Sequence, residues 1–218
     1  MSPVLRAASL YRFFRAGDEE TLALQGVTLE LAAGEMVAVV GPSGSGKSTL
    51  MNCLTGLDEP SGGTAWVAGH RMSNRSEAAR ARLRADHIGL VGQNHNLFEH
   101  LTLQANVRLA QKLSHRAHAD ALDILGDLGI RERRHSYPAQ LSGGESARAG
   151  LAVALANDPA VLLADEPTGE LDEATEARLL ALFRARADRG CAVLIASHSP
   201  VVRRAADRVL TLEDGALA

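Results

Sequence analysis

Eight consecutive residues, Gly41-Pro42-Ser43-Gly44-Ser45-Gly46-Lys47-Ser48, constrain this chain more than any other feature. They follow a continuous apolar run, Met36–Val40, whose lack of alternation predicts a strand buried on both faces. A helix is expected after them, from about Gly46 to Leu57. The pattern G-x-x-x-x-G-K-[ST] between a buried strand and a helix is that of a phosphate-binding loop. Its glycines let the backbone wind tightly enough for successive N–H groups to point at phosphate oxygens, and the helix adds the positive end of its dipole. The expected cradle therefore runs from Gly41 through Pro42, Ser43, Gly44, Ser45 and Gly46 to Lys47, Ser48 and Thr49. Lys47 suits neutralisation of the β- and γ-phosphates, and the Ser48 hydroxyl suits Mg²⁺. Composition sharpens the point, because the chain has 21 arginines and only two lysines, Lys47 and Lys112. A compact ammonium on a flexible stem fits a phosphate cradle that a planar guanidinium does not.

A second apolar run, Val161-Leu162-Leu163-Ala164, ends in two acids, Asp165 and Glu166. Carboxylates at the C-terminal end of a buried strand lie where open α/β sheets bind their ligands. Asp165 suits the Mg²⁺ shell, and Glu166 suits polarisation of an attacking water. Together with the loop these residues leave kinases, GTPases and many ATPases open.

The rest of the chain supplies an organisation. Partial alternation in Thr21–Leu24 and Val27–Leu31 predicts a small antiparallel sheet near the N-terminus. Gly62-Gly63 is expected to mark a turn before a short strand at Thr64–Ala68. From Ser76 to Asn157 the pattern is mostly helical, with Ser76 capping Glu77–Arg84 and helical spacing across Ala119–Leu128. Cys191–Ser197 returns to buried-strand character after a helix over Ala174–Asp188 that Gly190 terminates. Strand–helix alternation at both ends of a helical middle implies a parallel-sheet core with an inserted helical lobe.

Composition excludes several classes. A chain of 218 residues with 46% hydrophobic and 22% charged residues suits one globular domain with a full core. No stretch approaches the ~18 apolar residues that span a bilayer, and the region after Arg6 does not read as a signal peptide. A membrane role is therefore expected to come through a partner, with no direct insertion. A net charge of −3 does not favour nucleic acid. The local cluster Arg71, Arg75, Arg80, Arg82 and Arg84 reads as a solvated helix face. Cys53 and Cys191 lack metal or redox spacing and read as buried free thiols.

The stretch Leu141-Ser142-Gly143-Gly144-Glu145, with Arg148 after it, narrows the reading. It resembles the signature of the ABC ATPase family, LSGG followed by Gln or Glu. Physically, Ser142 and the glycines would open a helix running through Ala156, offering N–H groups and a dipole to a phosphate. The signature begins 94 residues after Lys47, Asp165 lies 20 after Glu145, and His198 lies 32 after Glu166. The resemblance implies a P-loop NTPase fold of class α/β: a RecA-like parallel-sheet core over residues 1–92 and 158–218, an N-terminal antiparallel β subdomain, and an α-helical subdomain over 93–157. It also implies two ATPs sandwiched in a head-to-tail homodimer, one subunit contributing Lys47 and Glu166 and the other Ser142, Gly143, Gly144 and Glu145. By the same resemblance Gln93 touches Mg²⁺ and senses the membrane partner, and Asp172 belongs to a loop crossing the interface. His198 reaches the γ-phosphate, and Phe14, 27 positions before Gly41, stacks on adenine. Tyr11 and Phe13 are alternatives for that stacking role.

The segment Gly56–Gly62 and the phrasing around Asp165–Thr168 resemble the subgroup serving lipoprotein-release, macrolide-export, cell-division and peptide-resistance complexes. Three departures stand out: Glu170 where that subgroup has Asn, Ser146-Ala147 after the signature, and Ser199 after His198. The expected function is ATP hydrolysis coupled to transport, at the cytoplasmic face of the membrane, through transmembrane permease subunits. Two alternatives are a mechanical ATPase that regulates a membrane complex without moving substrate, and a soluble ABC ATPase.

Overall fold

The computed structural model describes residues 3–16, 19–92, 96–114, 119–169 and 171–218. The chain opens with a long antiparallel pair, β1 (Leu5–Ala16) and β2 (Glu19–Leu31), and continues into β3 (Met36–Val40) and α1 (Lys47–Thr55). Then come β4 (Gly62–Val67), β5 (His70–Arg71), α2 (Glu77–His87) and β6 (Ile88–Val91). A helical stretch carries α3 (Leu103–Lys112), α4 (Ala121–Asp127) and α5 (Gly143–Ala154), with two short 3₁₀ turns before α5. The last part alternates: β7 (Val161–Asp165), α6 (Glu173–Ala187), β8 (Ala192–Ala196), α7 (Pro200–Ala205), and the hairpin β9 (Arg208–Glu213) with β10 (Ala216–Leu217).

These strands make two sheets. One is antiparallel, in the order β2-β1-β4-β5. The other runs β10-β9-β3-β8-β7-β6, parallel throughout except for β10. The unbroken apolar run of β3 is explained by its two cores. Met36, Ala38 and Val40 join Leu151 and Phe183 on the side of α5 and α6, while Val37 and Val39 join Leu50, Leu54, Leu5 and Leu24 on the side of α1 and the antiparallel sheet. Each fully buried Leu or Phe in these layers contributes about 1.5–3 kcal/mol of transfer free energy. The parallel sheet is thus clamped from both faces, and only its strand ends and their loops are free to bind.

The helix limits follow their caps. Gly46 and Gly56 bracket α1, both in the left-handed region. Ser76 accepts the Ala79 N–H at the start of α2, Asp120 caps α4, and Gly190 at φ 96 follows α6. Three expectations need correction. Gly62-Gly63 is no turn but the first part of β4, at a register shift between Ala8 and Tyr11. A Cβ on Gly63 would lie 2.1 Å from the Ser9 carbonyl oxygen, so the bulge brings two backbones too close for any side chain. The arginine cluster is only partly solvated. Arg80 bonds Glu59 at 2.6 Å and Arg84 bonds the Gly56 carbonyl at 2.9 Å, so α2 is tied down behind α1. Cys53 is buried, but Cys191 is only half-buried; both are free.

Candidate functional site

Neighbouring strands β3, β8 and β7 end side by side, so the loops after Val40, Ala196 and Ala164 meet at one edge. The phosphate loop occupies the first of these ends. A Cβ on Gly41 would stand 2.1 Å from the Leu212 carbonyl oxygen, and one on Gly46, at φ 103, 2.5 Å from that of Ala23. Glycine at both positions lets the loop lie flat against β9 and β2. Gly46 supplies no side-chain cap, so the first N–H groups of α1 have no side-chain partner from that position. Lys47 Nζ rests on the carbonyl oxygens of Gly41 and Pro42, at 2.8 and 2.9 Å.

A cleft of about 300 Å³ opens beside this loop, lined by Ala23, Ser43, Gly44, Gly46, Lys47, Ser48, Thr49, Asp165 and Glu166. Two buried polar atoms of the strand-end cluster have no hydrogen-bond partner, Ser45 Oγ and Asp165 Oδ1. Buried oxygens are almost always satisfied, so this pair marks an unmet demand for a donor or cation. Glu166 follows at φ 48, a left-handed conformation that is strained for a side-chain-bearing residue. Its amide donates to the Ala196 carbonyl at 2.9 Å. Its carboxylate contacts His198 Nδ1 through Oε1 at 3.0 Å and accepts from Ser197 Oγ through Oε2 at 3.2 Å. His198 is largely exposed, with 74% of its side chain accessible.

Ser142, Gly143, Gly144 and Glu145 stand at the start of α5 and are not among the residues lining that cleft. Here the helix is closed on itself. Ser142 Oγ accepts the Glu145 N–H, while Glu145 Oε2 accepts from the Ser142 amide at 2.9 Å and its hydroxyl at 3.1 Å. Arg133 Nε donates to Glu145 Oε1 at 2.8 Å. The Ser142 amide first and Arg133 second hold the Glu145 carboxyl below the usual range. Asp172 caps α6, accepting from the Thr175 hydroxyl and amide, which depress its carboxyl likewise. A Cβ on Gly144 would meet the Thr175 methyl at 2.7 Å, so α5 and the start of α6 are in close contact.

Strand register places the aromatic candidates along β1 without separating them, because Tyr11 pairs with Gln25 and the pairing shifts between Arg12 and Phe13. Phe14 pairs with Thr21 and Phe13 with Leu22, and the cleft-lining Ala23 falls at the register shift beside them. Tyr11 packs on Gly26 and Gly62. The Arg12 guanidinium lies 4.5 Å from the Phe14 ring centroid and makes a bidentate pair with Asp58. Gln93 and Glu170 lie outside the described residues. Sequence reasoning missed Ala23, Arg12, Arg133 and Ser197. Only Ser197 carried a local signal, a hydroxyl at a buried strand's end next to His198; the others reach their places through long-range pairing.

A phosphate loop and an acid pair converging at the carboxyl edge of a parallel sheet define a P-loop nucleotide-binding protein. The match to known proteins is narrower. Residues 24–169 match the family described as ABC transporter. The macrolide export ATP-binding/permease protein MacB of Escherichia coli (strain K12) is 42% identical over 219 residues, which cover 99% of this chain and 34% of MacB. The Shigella flexneri MacB matches to the same extent. The chain thus spans about a third of the length of these curated relatives. Among solved structures, the dimeric MJ0796, a bacterial ABC transporter cassette, superposes with a TM-score of 0.90 at 32% identity, covering 98% of this chain and 96% of that one. A post-hydrolysis state of the same cassette, bound to ADP and Pi, matches equally well. The chain belongs to the ABC transporter family, as one of its ATP-binding ATPase cassettes.

Proposed function

We propose that this cassette powers a membrane permease by hydrolysing ATP at the interface of a head-to-tail homodimer. The observation that carries the reading is the division of the expected site. Lys47, Ser48, Asp165 and Glu166 share one cleft, whereas Ser142 and Gly144 stand apart from it at the start of α5. A second copy would bring its own α5 N-terminus to the phosphates held by the first. The dimeric state of MJ0796 supports this arrangement.

Within each half, Lys47 exchanges the Gly41 and Pro42 carbonyls for phosphate oxygens. The unpartnered Asp165 Oδ1 and the Ser48 hydroxyl fit an Mg²⁺ ion, with Gln93 the expected further ligand. An Mg²⁺ held there would supply Lewis-acid stabilisation of the phosphates' negative charge. Glu166 orients the attacking water and takes its proton as the bond to the γ-phosphorus forms and ADP departs. His198, its Nδ1 engaged by Glu166, has its other ring nitrogen for the γ-phosphate. Phe14 is the base platform, and Asp172 lies at the dimer interface.

An apolar groove of about 400 Å³ between α2, β6, α3 and α5, lined by Ile88, Leu90, Leu113 and Asn96 among others, supports permease docking near residues 94–107. Among the described residues no helix is long and apolar enough to cross a membrane. Attachment through permease subunits, at the cytoplasmic face, fits that observation, and the likeness to MacB supports a permease of the export kind.

Two experiments test the reading. Glu166→Gln should abolish steady hydrolysis, by about 100-fold or more, while ATP still binds and traps a dimer on size exclusion. An active Glu166→Gln protein would remove Glu166 from the base role. In the permease complex, Glu99→Lys or Asn96→Lys should uncouple transport while basal ATPase survives; equal loss of both would move the docking site elsewhere.

A further inference from the structure

Ser197 is 1% exposed, at the carboxyl end of β8, and its backbone amide continues the sheet by donating to the Val39 carbonyl at 3.0 Å. Its hydroxyl has one proton to give and two lone pairs. The Ser199 amide donates to Ser197 Oγ at 3.1 Å, and Ser199 is itself held as the N-cap of α7, accepting the Val201 amide at 3.1 Å. With one lone pair of Ser197 occupied from that side, its proton is directed at Glu166 Oε2, 3.2 Å away. An ionised carboxylate only accepts, so the base form of Glu166 leaves the hydroxyl no other role in that contact.

The two oxygens of Glu166 are therefore held unequally. Oε2 is anchored by a buried hydroxyl whose direction is set by the α7 cap, and Oε1 by the exposed imidazole of His198. The Glu166 backbone, at φ 48, is clamped to the same strand end through the Ala196 carbonyl. We infer that Ser197 is a positioning residue for hydrolysis: it fixes Oε2 of Glu166 and leaves Oε1, beside His198, as the oxygen that receives the attacking water. The inference rests on Glu166 acting as the base. It also gives Ser199 a role, since the residue after His198 orients the Ser197 hydroxyl through its amide while capping α7 with its side chain.

Steady-state ATPase kinetics on the purified full chain test it, with Glu166→Gln, Ser197→Ala, Ser197→Thr and the Glu166→Gln/Ser197→Ala double variant. Loss of a hydrogen bond to a charged group predicts that Ser197→Ala lowers kcat about 10- to 100-fold, with KM for ATP within about twofold. Ser197→Thr, which keeps the hydroxyl, restores kcat to within about threefold of the parent, and Ser197→Ala adds no further loss on the Glu166→Gln background. An inactive Glu166→Gln protein beside a fully active Ser197→Ala protein overturns the positioning role and leaves the base in place. An active Glu166→Gln protein overturns both. If Ser197→Ala loses kcat only in proportion to lost folded protein on thermal melting, or if Ser197→Thr fails to restore it, Ser197 is a packing residue and the inference falls.

Discussion

The N-termini of α1 and α5 offer the same backbone groups and are finished in opposite ways. At α1 the cap is Gly46, which accepts nothing through a side chain, and beside it Ser45 Oγ and Asp165 Oδ1 are buried without partners. At α5 the cap is Ser142, locked in a reciprocal box with Glu145, whose other oxygen is held by Arg133. At the first end the N–H groups have no side-chain partner from the cap and suit an anion, while the two buried oxygens beside them await a donor or cation. The other has met its demand within its own chain, through a carboxylate placed where an anion would sit. In the proposed dimer, an incoming phosphate completes the first end but must compete with Glu145 at the second. Nucleotide binding is then a property of the single chain, and closure is the costlier and more adjustable step.

The sharpest break of that comparison comes from Lys47→Ala set beside Ser142→Ala. Loss of the ammonium should weaken ATP binding by the isolated chain roughly 100-fold in equilibrium titration with a fluorescent nucleotide. Ser142→Ala should leave that affinity within about twofold, yet lower the ATP-trapped dimer fraction on the Glu166→Gln background about tenfold. Equal effects of the two substitutions on binding by the monomer would erase the distinction. A smaller effect separates the charge of Glu145 from its capping. Glu145→Gln keeps an acceptor for the Ser142 amide but removes the negative charge, so ATP-driven dimerisation should strengthen about fivefold at low salt and less at high salt. Arg133→Ala, which leaves the charge uncompensated, should move dimerisation the other way in light scattering.

The pH dependence of that difference is set by sign. The Glu145 carboxyl is lowered in the folded chain by the Ser142 amide and then Arg133. Its capping contribution is therefore complete above the unfolded carboxyl value and is lost only as pH falls through the lower folded value. The gap between parent and Glu145→Gln should stay constant from about pH 6 to 8 and close only under acid, below the ordinary carboxylate range near ~4.3. A gap that changed around neutrality would point to another group.

The legible parts of this protein were those in which one residue type has one physical use. The apolar run Met36–Val40, the glycines that permit the tight loop, Lys47 in a chain nearly devoid of lysine, and the acids at the end of Val161–Ala164 each state their place locally. Less legible were features made by two distant segments. Gly62-Gly63 resembles a turn in isolation, and only the approach of Ser9 makes it a bulge. Arg80 and Arg84 resemble a solvated face until Glu59 and the Gly56 carbonyl arrive. The sequence favours Phe14 over Phe13 and Tyr11, but which ring faces the cleft depends on the β1–β2 pairing, in which Ala23 falls at a register shift.

What the sequence determined by itself was the chemistry of each loop, because backbone winding, capping and charge depend on neighbours a few residues away. Which loops meet was decided by the order β3-β8-β7, and so was the unequal hold on the two oxygens of Glu166. Strand order and register arise from packing both faces of one sheet at once. That is a global constraint, and no single stretch of the chain contains it.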